Sequence, residues 1–216
     1  MKFKWDEIYL GNDDIPSASG IYAWYYVPQL SDVDIQNMYS ELAMNKHSIQ
    51  ARKSIIYQFL NRRLFSFYGE DPYSIKISGP LKPTYRGSIF HDESVSDSLV
   101  TKIESGEVSI SQLKALLSNV TEPFLSPIYI GMATNLNKRI NQHKHKIIKI
   151  RDGVPQDDGK EEFELRDNNF ASRVCERKYI TSFMFVVCMS VDSEDKIQNP
   201  FENVLNRINY PILGRN

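Results

Sequence analysis

The sequence lacks the features that would place it outside the cell or within a membrane. Its two cysteines, Cys175 and Cys188, stand in no C-x-x-C arrangement. Neither a thiolate zinc site nor a disulfide framework is indicated, and a reducing compartment is expected. Both thiols read as small buried apolar side chains. The longest apolar run, around Ile180 to Met189, is far below the roughly 20 residues that cross a bilayer. The opening M-K-F-K-W-D-E has no apolar segment of the kind a secretory signal needs. No membrane partner and a cytoplasmic location are therefore expected. An excess of one charge is missing as well: the net charge is −1, so any surface for a polyanion must be local. There are no internal repeats and no low-complexity tract.

What is present is an ordinary globular composition, 41% hydrophobic and 25% charged over 216 residues. That length supports a well-buried core and, most simply, one domain spanning 1–216. The most informative stretch is Ser126 to His143, S-P-I-Y-I-G-M-A-T-N-L-N-K-R-I-N-Q-H. Ile128 and Ile130 alternate with Tyr129 behind Pro127, which predicts a strand over 126–131. Thr134 and Asn135 are both good N-cap types. Leu136, Ile140 and Ile147 then recur at helical spacing. On that helix Arg139 and His143 are four apart and share a face. Upstream, residues 20–27 (G-I-Y-A-W-Y-Y-V) are dense in aromatic and β-branched types and predict a buried strand ended by Pro28.

Taken singly, each residue has a bland reading. Tyr22 and Tyr129 read as strand packing, Arg139 as a surface cation and His143 as a hydrogen-bonded structural histidine. His47, His91 and His145 have no nameable partners. Lys138, Lys144, Lys146 and Lys149 read as a solvated helix face or, beside a phosphate site, as a backbone-tracking patch. Near the C-terminus Asn199 is a good N-cap and Pro200 suits the first helical position. Glu202 then reads either as the far half of a capping box or as a metal ligand.

In combination, Gly20-Ile21-Tyr22, Tyr129-Ile130-Gly131 and the following N-L-x-x-R-x-x-x-H resemble the signature of the GIY-YIG nuclease superfamily. The resemblance covers about 20–28 and 124–216. It implies an α/β (α+β) core with a three-stranded, mainly antiparallel sheet flanked by helices, its strands at 20–27, 126–131 and 180–190. In compact members the two words lie a short hairpin apart, so residues 31–122 are expected to be a large, mostly helical insertion between the first two strands. Within it, 32–68 carries helical spacing, 72–87 reads as a short strand and a Pro/Gly turn, and Leu113, Leu116 and Leu117 mark a helix. Residues 152–168 read as a loop and 170–179 as a helix.

The resemblance further implies a metal-dependent endonuclease acting on DNA, with RNA open, and closest in flavour to restriction-type enzymes of this fold. A role in restriction or defence would follow. Tyr22, Tyr129, Arg139, His143 and Glu202 would be the catalytic set, with Glu202 holding Mg²⁺ or Mn²⁺. Tyr129 would be the general base and Tyr22 would orient the water or share that role. Gly20, Gly131, Asn135 and Asn216 would be motif positions. Two features depart from the pattern: Met132 replaces a common lysine after Y-I-G, and Asn216 falls slightly late. They keep a second expectation alive, a catalytically silent nucleic-acid-binding or assembly subunit. No appended DNA-binding module is expected, so target preference would come from the insertion, a homodimer or a partner protein.

Overall fold

The computed structural model describes residues 1–9, 12–80, 82–90, 95–153, 170–191 and 198–214. The loop expected over 152–168 falls almost entirely outside them, as do His91 and Asn216. The described residues form a mixed α+β protein with seven α-helices, a four-stranded antiparallel sheet and a separate β-hairpin. The chain divides into two compact units, one formed by Met1–Val27 with Val120–Asn216 and the other by Pro28–Asn119. No described helix is long and apolar enough to cross a membrane.

The sheet belongs to the first unit. Its strands are β1 (Lys2–Lys4), β2 (Gly20–Tyr26), β5 (Tyr129–Ala133) and β6 (Met184–Ser190), in the order β1-β6-β2-β5. Every pairing is antiparallel. The sheet thus has four strands rather than three, because K-F-K at the N-terminus adds an edge strand to β6. Three residues are too few to show a period, so tertiary pairing alone makes this strand. β5 begins later than expected and runs past Gly131, since Met132 and Ala133 still pair with Ile21 and Gly20. β6 begins at Met184, and Thr181–Phe183 before it form a 3₁₀ turn.

Alternation along β2 sends Tyr22, Trp24 and Tyr26 to one face, where all three are buried. α5 (Leu136–Arg151) lays Leu136, Ile140, His143 and Ile147 against that core at spacings of four, three and four. Helical residues 170–176, α6, add Phe170, Ala171 and Val174. This helix stops short of Tyr179, and Lys178 takes a positive φ of 57° just after it. α7 (Gln198–Asn209) packs against β2 and β5.

The N-terminal arm is held to α5 by side chains. Asn137 Nδ2 donates to the carbonyls of Asn12 and Ile15 at 2.8 and 3.2 Å. Lys144 Nζ donates to the carbonyls of Trp5 and Ile8 at 2.8 and 2.6 Å and lies over the Trp5 ring. Lys144 was expected on a phosphate-tracking face; its ammonium is instead engaged by the chain's own backbone.

The second unit is helical apart from one hairpin. α1 (Asp32–Met44) and α2 (Ile49–Leu60) are capped by Ser31 and Ser48, whose hydroxyls accept from Asp34 and Ala51 amides. α3 (Asp97–Glu104) and α4 (Ile110–Val120) complete it. Ile35, Met38, Ile56, Phe59, Leu60, Val100 and Ile110 form its core. The stretch 72–87, expected as a short strand and a Pro/Gly turn, instead belongs to a two-stranded hairpin, β3 (Tyr73–Gly79) with β4 (Lys82–Ile89).

Replacing Lys144 with Met keeps its stem but leaves two backbone acceptors without their donor. The variant should lose about 1–3 kcal/mol of stability, since hydrogen bonds to charged groups carry about that much. Urea unfolding would read the loss, with faster amide exchange over residues 1–9. Lys138→Met, at an exposed position, should stay within about 0.5 kcal/mol of wild type.

Candidate functional site

The site grows from the buried face of β2. Tyr22 stands in the central region of the sheet with β6 on one side and β5 on the other. Its phenol oxygen lies 2.7 Å from His143 Nε2 and accepts from Arg139 Nε at 3.4 Å. Arg139 and His143 reach the same oxygen because they are one helical turn apart on α5. Tyr129 shares this face: its residue pairs with Trp24, and its ring lies 6.1 Å from Tyr22 and 5.7 Å, edge-on, from His143. Thus Tyr22, Tyr129, Arg139 and His143 converge from two strands and one helix.

Burial divides them. Tyr22 and His143 are sealed, at 1% and 0% exposure, whereas Tyr129 and Arg139 are half-buried. Around the imidazole stand the rings of Trp24, Phe170, Tyr22 and Tyr129. Loss of hydration in this cage holds the His143 pKa well below the usual imidazole value, and the Arg139 and Lys146 cations push it further down. The imidazole is therefore neutral at physiological pH. Its Nδ1 is buried without a hydrogen-bond partner. An orphaned buried N–H costs more than an orphaned lone pair, so the geometry favours the tautomer with the proton on Nε2. In that tautomer His143 and Arg139 both donate to the Tyr22 oxygen.

Gly131 makes this possible. It pairs directly with Tyr22, and a Cβ there would lie 2.6 Å from the Tyr22 hydroxyl and 2.8 Å from its Cζ. The phenol lies where a side chain on β5 would be. Gly20 has a parallel role, since a Cβ there would collide with the Met189 carbonyl and the Leu136 side chain. Met132 pairs with Ile21, so it belongs to the opposite face of the sheet from Tyr22. The uncharged residue at this position therefore leaves the Tyr22 face unaltered.

Asn135 caps α5, accepting from the Lys138 amide at 2.8 Å. The amides of Leu136 and Asn137 donate to the carbonyls of Ala18 and Pro16, and that of Arg139 to the Asn135 carbonyl. All four amides of the first turn are thereby satisfied. An anion at this site must be held by side chains rather than by the helix terminus.

Glu202 is half-buried on α7, the helix that packs against the strands carrying Tyr22 and Tyr129. Because α7 begins at Gln198, Asn199 and Pro200 both lie inside its first turn. Proline is tolerated there, where its missing N–H has no helical partner. Among the described residues no three of His, Cys, Asp and Glu come together as a metal cage. A lone carboxylate suits Mg²⁺ or Mn²⁺ that keeps its waters and shares substrate oxygens, not a resident ion in an all-protein site. Lys138 and Lys149 are exposed, and Lys146 is half-buried.

Trp24 and Phe170, two walls of the imidazole cage, were not singled out by motif reasoning. Trp24 carried a signal, since it alternates with Tyr22 on the strand; Phe170 carried none beyond its apolar character. Compared with family models, with curated proteins and with solved structures, the chain matches none.

Gly131→Ala should destabilise the protein by about 1–3 kcal/mol through overpacking. Adding Tyr22→Phe should recover part of that loss, because the nearest clashing atom is the hydroxyl. A double-mutant cycle on urea unfolding would show the coupling. His143 gives a second test. Its unfolded counterpart titrates near 6.5, so below that pH the unfolded chain binds more protons than the folded one. Its contribution is full above pH 6.5 and is lost as pH falls toward the folded value, at up to about 1.4 kcal/mol per pH unit. His143→Gln should flatten this decline of the urea midpoint between neutral and mildly acidic pH.

Proposed function

We propose that the chain is a metal-dependent endonuclease of the GIY-YIG type that hydrolyses phosphodiester bonds in DNA, with RNA the second candidate substrate. In this reading β6, β2 and β5 are the core strands and Pro28–Asn119 is an insertion between the first two sequence words. The observation that carries the reading is the junction of Tyr22, His143 and Arg139 at one phenol oxygen, with Tyr129 beside it. A role in restriction or defence belongs to the same proposal.

The chemistry needs an activated water and neutralisation of charge on the phosphate. Arg139 supplies a permanent positive charge, and its planar guanidinium suits a scissile phosphate. Two N–H donors on the Tyr22 oxygen lower the cost of the charge it carries after giving up its proton. With that proton lost to solvent, the Tyr22 phenolate is the better candidate for taking the proton of the attacking water, and half-buried Tyr129 orients that water. The sealed position of Tyr22 means that this water is one enclosed with the substrate. His143 stays neutral in the free protein. With its proton on Nε2 it acts on Tyr22 as a hydrogen-bond donor and stabilises the phenolate without taking its proton. Glu202 would hold a Mg²⁺ or Mn²⁺ ion, which would supply Lewis-acid stabilisation of the developing charge.

A second reading, a silent nucleic-acid-binding or assembly subunit, draws on the same burial. A tyrosine–histidine pair closed off from solvent is also what a purely structural hydrogen bond looks like. Cleavage decides between them. With Mg²⁺ or Mn²⁺, the wild type should cut plasmid or linear DNA. Arg139→Ala, Glu202→Ala and Tyr22→Phe should each cut about 100- to 1,000-fold more slowly. A wild type that binds DNA yet cuts neither DNA nor RNA with either metal overturns the nuclease reading.

A further inference from the structure

The β3–β4 hairpin has two exposed faces of opposite character. Register places Ser74 opposite Ser88 and Lys76 opposite Arg86 on one face. Tyr73, Ile75 and Ile77 with Ile89 and Tyr85 form the other. Lys76 and Arg86 are exposed, and neither makes a salt bridge or side-chain hydrogen bond among the described residues. Like charges directly across a ladder destabilise it, and among the described residues none of this ribbon belongs to a buried core that could compensate. From Pro72 to Phe90 the sequence carries Lys76, Lys82 and Arg86 and no acidic residue, in a chain whose net charge is −1.

We propose that this ribbon is a DNA-docking element, with Ser74, Lys76, Arg86 and Ser88 forming the face that meets the duplex. The occupant is argued from charge and shape. A cross-strand cation pair that weakens the free hairpin is relieved by two phosphates, with release of their counterions. A two-stranded ribbon fits the major groove of B-form DNA, where serine hydroxyls meet either phosphates or base edges. The deep, narrow major groove of duplex RNA does not admit it. The proposal rests on the nucleic-acid reading above and deepens it, by assigning a share of substrate binding to the insertion.

The test measures binding separately from cleavage. The probe is a fluorescein-labelled DNA duplex of about two helical turns, titrated by anisotropy with Ca²⁺ in place of Mg²⁺. Lys76→Ala/Arg86→Ala should lower affinity about tenfold or more, and should make the log–log salt dependence shallower by about 2. Its circular dichroism should be unchanged because both positions are exposed. Ile77→Ser/Tyr85→Ser, on the apolar face, should bind like wild type. An unchanged affinity and salt slope in the basic-pair variant would overturn the proposal, as would loss of binding only in the apolar-face variant. Tighter binding to duplex RNA than to DNA would overturn it too. If the wild type binds DNA through Lys76 and Arg86 but never cleaves, the nuclease reading fails while the ribbon stands. If it cleaves and the basic pair is irrelevant to binding, the reverse holds.

Discussion

The hydrogen bond between Tyr22 and His143 is the constraint on which the rest of the first unit depends. It joins the middle of the sheet to the middle of α5 through two side chains closed off from bulk solvent. A buried polar pair is tolerable only when its members satisfy each other, so every neighbour is arranged around that contact. Gly131 vacates the space the phenol occupies, and Arg139 adds a second donor. Trp24, Phe170 and Tyr129 close the cage. The same enclosure that makes the pair expensive to misplace keeps the imidazole neutral.

The helix carrying His143 is itself anchored from outside its own turns. Its first-turn amides are capped by Asn135 and by the carbonyls of Pro16 and Ala18, and its Asn137 and Lys144 side chains hold the N-terminal arm. These bonds fix the pitch and rotation of α5 and hence where Arg139 and His143 point. A site on a helix locked in this way is held more firmly than one on a loop. The arm therefore contributes to the geometry of residues more than a hundred positions away.

What could be read beforehand follows the range of the interactions involved. The strand–turn–helix over 126–143 was legible because alternation, an N-cap and an i, i+4 pair are all local. The aromatic strand at 20–26 announced itself for the same reason. Long-range facts were hidden. Lys2–Lys4 is a strand only because β6 offers it an edge, and Lys144 is a structural cation only because Trp5 and Ile8 turn their carbonyls toward it. Lys82–Ile89 looked like a turn because Pro83 and Gly87 are loop residues by composition, yet Gly87 stands opposite Ile75 in the ladder, and a two-stranded hairpin leaves one edge of each strand free to accept a proline. The glycine at 131 was recognisable as a motif letter. Its physical reason, the phenol lying across it, required the register of β2 against β5.

Adjacency of β2 and β5 in the sheet has a kinetic corollary. These strands are partners in space but lie on either side of the roughly ninety residues of Pro28–Asn119, so zippering them closes a long chain segment at an entropic cost that grows only logarithmically with its length. A high sequence separation of this kind slows barrier crossing more than it weakens the final state. The helical unit, built from nearer neighbours, can collapse first and shorten the effective tether. The tyrosine–histidine junction would then be among the last features to assemble.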